Sequence, residues 1–229
     1  MNFGLKALAC LLLYPDAALK DNLPEIKEGV GGSSLSDDQK DKLYIFINHL
    51  AETPLSDLQK DYVSTFDIGK KASLNLFEHM HGDSRERGSA MLNLKKLYEE
   101  RGLSIEGDEF PDYLPMFLEF LSGLGYSEAQ ALLDSAARHI APIDIALQKS
   151  ESPWRAVTGA ILSLSAMKNS EIKLERDDLL PTTEAESFDS PVRFGGNADP
   201  VQTVHFKQSS RVSLSFSEHP LTPPPVPIW

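Results

Sequence analysis

The sequence predicts an all-α protein: a single helical-bundle domain over residues 1–168, followed by an acidic, Pro/Ser-rich and largely disordered tail over 169–229. Three observations predict it. Apolar residues recur at three- and four-residue spacing in one segment after another, as helices with one buried stripe require. Prolines, glycines and capping residues cut those segments at short intervals. No run before Lys168 alternates apolar with polar residues as a half-buried strand would, and no self-similar period appears.

Taken in order, Leu5, Leu8, Ala9, Leu12 and Leu13 mark an amphipathic first helix that Tyr14-Pro15 ends. A second helix is expected from Asp16, carrying Leu19, Leu23 and Ile26 before Gly29 to Gly32. Ser36 with Gln39 reads as a capping box for a helix presenting Leu43, Phe46, Ile47 and Leu50, which Pro54 breaks. Leu55, Leu58, Tyr62 and Phe66 form the next face, ending near Gly69. After Arg87 the set Ala90, Met91, Leu94, Leu97 and Tyr98 is again helical, with Gly102 just past its end. Pro111 and Pro115 bracket a helix start whose buried face is Leu114, Phe117, Leu118 and Leu121. Ser127 opens a longer helix through Leu132, Leu133, Ala136 and Ile140, with a kink expected at Pro142. Ser152-Pro153 reads as an N-cap with proline at the first helical position, before the stripe Trp154, Val157, Ile161 and Leu164.

From Asn169 onward Pro, Ser, Thr and acidic residues replace the helical period, and such a segment buries too little apolar surface to offset its ordering entropy. Val201 to Phe206 and Val212 to Phe216 have β-type content without an evident partner.

Composition narrows the function classes. The body is long enough for one buried core, removing about 70% of its unfolded surface from water. Its one cysteine, Cys10, excludes an internal disulfide framework and fits a reducing, cytoplasmic setting. A net charge of −12 opposes nonspecific binding to nucleic acid or anionic lipid and suits a basic partner. No run of about 20 apolar residues is present, so no direct membrane insertion is expected. Leu8-Ala9-Cys10 superficially suggests a lipoprotein signal, but the basic region before it is almost absent and Lys6 interrupts the apolar part.

Catalytic signatures find no support. His79-x-His81-x-Asp83 offers metal-ligand types, yet no further ligand follows at a recognisable spacing, whereas a closed zinc site needs four. Glu78 is not part of an H-E-x-x-H helix, and neither usual nucleotide-binding glycine motif is present. Ser84 and Ser89 lack a nucleophile elbow, and Cys10 sits on an apolar helix face. No catalytic residue, metal or cofactor is assigned. Gly82 and Gly88 read as a turn and a close helix contact.

The stretch from Tyr62 to Phe120 stands apart because it crowds histidines, arginines, glycines and paired prolines together. Three pieces carry the pattern: Tyr62-Val-Ser-Thr-Phe66-Asp67; Ser73-Leu-Asn-Leu-Phe77-Glu78-His79-Met80-His81-Gly82-Asp83-Ser84-Arg85-Glu86-Arg87-Gly88 running into Met91; and Phe110-Pro111-Asp112-Tyr113-Leu114-Pro115 with its apolar helix. In this order they resemble the NarJ family, the delta-subunit assembly chaperones of respiratory nitrate reductase, within the redox-enzyme maturation proteins that include TorD and DmsD. The resemblance spans Leu5 to Leu164. Phe188-Asp-Ser-Pro191-Val192-Arg193-Phe194 is similar to a short aromatic-acidic element near the family's C-terminus, with Phe188 where tryptophan is usual.

The resemblance implies a helical chaperone without enzyme activity. It implies as partner the apo form of the nitrate reductase alpha subunit, chiefly its N-terminal segment, within an alpha–beta complex kept competent for molybdenum cofactor insertion and membrane docking. Glu109-Phe-Pro-Asp112-Tyr113 is similar to the acidic-proline-Asp-His segment beside the signal-peptide groove of TorD and DmsD relatives, with Tyr113 in place of the histidine. The client-binding set expected is Phe66, Leu74, Phe77, Met91 and Leu118 for an apolar face, and Glu78, Asp83 and Asp112 for its positive charges. His79, His81, Arg85, Arg87 and Tyr113 complete the surroundings. Some of the apolar residues are necessarily core, and Asp112 has the competing role of capping the helix after it. The alternatives are a chaperone for another molybdoenzyme of the same superfamily, a permanent structural subunit, or a metal-dependent enzyme using His79 and His81.

Overall fold

The first helix lies along the middle of the domain because it is apolar on more than one side. The computed structural model describes residues 3–68, 72–81, 85–105, 109–166 and 215–216. In it α1 (Phe3–Leu11) packs on α8 (Leu114–Ser122) and α3 (Leu23–Gly31), and also touches α10 (Arg155–Leu164). Leu5, Leu8, Leu11 and Leu12 are all buried. In α8 every residue except Glu119 is buried, as expected of a helix apolar all round.

The second predicted helix is two. Asp16 caps α2 (Ala17–Asp21), its carboxylate accepting the Leu19 N–H at 2.7 Å, and the chain breaks at Asn22 before α3. Pro24 explains the break: it lacks an N–H and is tolerated only in the first turn of the new helix. Ser36 caps α4 (Asp37–Glu52) through the Gln39 N–H as the sequence predicts, and α5 (Leu55–Tyr62) begins after Pro54. The face through Phe66 continues as a π-helical turn, Val63–Asp67, closed by the Ile68 N–H on the Val63 carbonyl at 3.0 Å. That wider turn keeps Tyr62 and Phe66 side by side at 4.7 Å, and both rings meet Trp154 at 5.9 and 5.6 Å. Phe46 reaches Trp154 from α4 at 5.7 Å, so four elements share one aromatic centre.

A short helix, α6 (Glu78–His81), follows the turn, and then the longer α7 (Arg85–Glu100). Gly102 ends α7 with a φ of 72°, a left-handed conformation that favours glycine. Leu103–Ser104 (β1) pairs antiparallel with Ser215–Phe216 (β2), giving part of the Val212 to Phe216 segment a partner the sequence did not reveal. The longest helix among the described residues, α9 (Tyr126–Lys149), starts at a Gly125 cap with Ser127 inside it, and it runs on through Pro142. It forms an antiparallel pair with α10, whose cap is Trp154; Ser152 and Pro153 belong to the turn before it, so the helix begins two residues later than the sequence suggests. The all-α expectation holds. Apart from Ser215–Phe216, the tail over 169–229 and its element at Phe188 to Phe194 lie outside the described residues, as does Gly82. Gly88 makes no close helix contact, since a Cβ there would meet nothing within 4 Å.

Candidate functional site

Three stretches the sequence singles out are brought together by the backbone. Residues 74–77 run antiparallel to residues 112–114: the Leu114 N–H donates to the Leu74 carbonyl at 2.8 Å, the Leu76 N–H donates to the Asp112 carbonyl at 2.9 Å, and Asn75 bridges to Tyr113. Proline helps explain why this segment runs extended before α8, because Pro111 disfavours helix geometry at Phe110, while Pro115 falls in the first turn of α8, where its missing N–H is tolerated. The Tyr98 hydroxyl donates to the Pro111 carbonyl at 2.9 Å, and its ring lies 4.7 Å from Phe120, which ties the same segment to α7 and α8.

At the centre lies Asp112, 0% exposed. Its Oδ2 accepts the Phe77 N–H at 3.1 Å, and the Arg87 guanidinium stands 4.0 Å from the same oxygen. Oδ1 is buried without a hydrogen-bond partner. Burial pushes the carboxyl's pKa up, against the lowering influence of the Phe77 N–H and Arg87, and Glu78 pushes it further up. Arg87 also lies over the Phe110 ring, 5.9 Å from its centroid. Phe110 is itself 53% exposed, a large apolar side chain held at the surface.

Around this centre Ser73 organises the start of α6. Its hydroxyl donates to Glu78 Oε2 at 2.6 Å and accepts the Asn75 N–H at 3.3 Å, while its carbonyl lies 2.8 Å from His79 Nε2. A carbonyl only accepts, so Nε2 carries the proton and, in the neutral ring, Nδ1 is the acceptor. Phe77, half-buried, sets its ring edge against His139 of α9 at 5.3 Å.

The expected site residues separate into two groups. Phe77, Glu78, His79, Arg87, Met91 and Tyr113 are half-buried and gather around the paired segments or on α7 beside them. Phe66, Leu74 and Leu118 are 5, 4 and 0% exposed and are core, a correction to their expected place on a client-facing surface. Their helical or extended spacing matched a surface groove and an interior equally well. Asp112 is corrected on both counts, since α8 is capped by Tyr113 without a side-chain bond and the buried carboxylate serves the Phe77 backbone instead. Asp83 lies outside the described residues, and His81 and Arg85 are described by backbone alone. Among the described residues no group of three or more His, Cys, Asp or Glu side chains could hold a metal, and no helix is long and apolar enough to cross a membrane.

Sequence reasoning missed Phe110, Ser73, Tyr98 and His139 as parts of this site. Tyr98 was legible only as one member of a helical stripe. Ser73 acts through its own neighbours Asn75, Glu78 and His79, whereas Phe110 and His139 depend on contacts with Arg87 and Phe77, far away in the chain, for which no local signal exists.

The arrangement holds an irregular, partly apolar surface in place by hydrogen bonds. That defines a helical binding scaffold, and its fold is shared with the crystal structure of an Archaeoglobus fulgidus protein described as a redox enzyme maturation protein, at a TM-score of 0.53 and 21% identity over 71% of this chain and 91% of that one. The profile described as nitrate reductase delta subunit matches residues 31–158, and the chain belongs to that family. The nitrate reductase molybdenum cofactor assembly chaperone NarJ of Escherichia coli (strain K12) is 35% identical over 206 residues, covering 85% of this chain and 87% of the relative. NarW of the same organism is 36% identical over 197 residues, covering 83% of each. The family expected from the three sequence pieces is the family found, and it is one of assembly chaperones, not of enzymes.

Proposed function

We propose that this protein is a cytoplasmic chaperone for respiratory nitrate reductase. It binds the immature catalytic alpha subunit, chiefly its N-terminal segment, and keeps the alpha–beta complex competent for molybdenum cofactor insertion and membrane docking. The observation that carries this reading is 35% identity with E. coli NarJ, extended over 85% of this chain and 87% of the relative. The geometry supports a binding role. Half-buried Phe77 and Met91 and exposed Phe110 provide apolar contact, Glu78 lies beside Phe77, and helix-in-groove recognition needs such a mixture of anchors and polar rim. Surface acids suit a basic amphipathic client segment at a net charge of −12.

Deleting the protein from its host should leave nitrate reductase short of molybdenum and inactive, and affinity capture from cells unable to make the cofactor should recover the soluble precursor. A fully loaded, active reductase in the deletion strain overturns the reading. Recovery of a different molybdoenzyme precursor in place of nitrate reductase moves the client within the superfamily. Co-purification with mature membrane-bound reductase makes the protein a permanent subunit.

A further inference from the structure

We infer that Asp112 is a positioning residue for client binding, shaping the client-facing segment from behind and never touching the client itself. This rests on the proposed chaperone reading, and it replaces the simpler idea that the carboxylate receives a positive charge of the client.

The argument starts from access. Asp112 is 0% exposed, so a client cation could reach it only by opening the paired segments that bury it. Two of its oxygens are used inside: the carbonyl accepts the Leu76 N–H and Oδ2 accepts the Phe77 N–H, two successive amides of one short segment. A carboxylate is suited to this work because an N–H bond to a charged acceptor is stronger than one to a neutral acceptor. Fixing the Phe77 amide fixes where that residue's ring lies against His139 and where Glu78 and His79, the next two residues, begin α6. The Arg87 guanidinium, 4.0 Å from the same Oδ2 and over the Phe110 ring, ties the carboxylate to α7. One buried group thus sets the mutual placement of Phe77, α6, α7 and Phe110. The charged groups bearing on it are Arg87, which favours its ionised form, and Glu78, which disfavours it.

The test is calorimetry with a synthetic peptide of the reductase alpha-subunit N-terminus, in its natural form and with its Lys and Arg replaced by Gln. It is run on the full chain and on Asp112→Asn and Asp112→Ala, with hydrogen exchange followed at the Phe77 amide. Asp112→Ala removes the acceptor, so exchange at Phe77 should accelerate and affinity should fall by about tenfold or more. Asp112→Asn keeps an acceptor oxygen but not the charge, so it should lose less affinity and quicken Phe77 exchange by less. For either variant the fold-loss should be the same for both peptides to within about twofold, as groups that do not touch one another behave additively. The Asn variant decides the matter should the Ala variant not fold. A fold-loss that shrinks several-fold with the neutral peptide, or unchanged Phe77 exchange, overturns the inference while leaving the chaperone reading intact. Absence of binding to the unaltered protein overturns the N-terminal-segment reading and this inference with it.

Discussion

The hydroxyl of Tyr113 lies 3.5 Å from the hydroxyl of Tyr62, joining two segments that are 51 residues apart in the chain. Tyr62 gives its own proton to the Leu12 carbonyl at 2.9 Å, so Tyr113 is the donor within the pair. The relay runs from the segment before α8, through the end of α5, to the turn after α1, and so fastens the candidate site to the centre of the core.

Tyr62→Phe should therefore destabilise the domain although it removes a single oxygen. The Leu12 carbonyl loses its side-chain donor and Tyr113 loses its acceptor, in a place where Tyr62 is 5% exposed. A buried polar group left unsatisfied costs about 1–3 kcal/mol. Urea denaturation checks this: the midpoint should fall with an unchanged slope, and Tyr113→Phe should lower it less, because Tyr62 keeps its bond to Leu12.

Alkaline pH should expose the same relay. Burial raises the phenol pKa of Tyr62, Tyr98 and Tyr113, with Tyr113 pushed up to about 12, and Glu109 and Asp67 add to the upward push on Tyr62 and Tyr113. Their folded pKa values exceed the unfolded value of about 10. The stability they contribute is therefore fully present below about pH 10 and is lost as pH rises through the folded values. Phenolate absorbance should show these phenols titrating late, with Tyr113→Phe removing the one near 12. Ionisation of Tyr62, Tyr98 and Tyr113 near pH 10, with the fold intact, would contradict their burial.

Core and client surface should separate by mutation. Trp154→Ala removes a ring 1% exposed that Phe46, Tyr62 and Phe66 all contact, and should cost about 3–5 kcal/mol; Leu118→Ala should cost about 2–5 kcal/mol. Phe77→Ala, from a half-buried position, should cost less stability but lower client-peptide affinity by about tenfold, about 1.4 kcal/mol. Denaturation and calorimetry on the same preparations decide it. Equal affinity for Phe77→Ala and the unaltered protein would remove Phe77 from the client surface.

The sequence made the helices legible because each carries its own evidence in apolar spacing and capping chemistry: Ser36 caps α4, Pro54 ends it, and Gly102 closes α7 as their residue types require. Breaks within a continuous apolar pattern were harder to read. Pro24 falls in the first turn of a new helix, whereas Pro142 lies inside a continuous α9, and the residue type alone does not distinguish the two. The site was legible as three unusual stretches, but not in the direction its side chains face. Phe66 and Phe77 are both aromatic residues in such a stretch, yet Phe66 meets Trp154 in the interior and Phe77 meets His139 near the surface. Asp112 before a helix has the residue type and position of a cap, and only the antiparallel run of residues 74–77 beside it shows another use.

Added zinc should leave the thermal midpoint of the protein unchanged. The bond from His79 Nε2 to the Ser73 carbonyl at 2.8 Å leaves Nδ1 as the ring's acceptor, an orientation that metal-binding histidines also use. What a stable site further requires is a convergent set of ligands, and among the described residues no group of three exists. One imidazole gives binding too weak to shift folding at equimolar metal, because the stabilisation depends on the ratio of free ligand to Kd. Differential scanning fluorimetry with one equivalent of zinc, alongside elemental analysis of the purified chain, makes the check. Stoichiometric metal with a midpoint raised by several degrees would bring His81 and Asp83 back as ligands with His79, and His79→Ala would then abolish the rise.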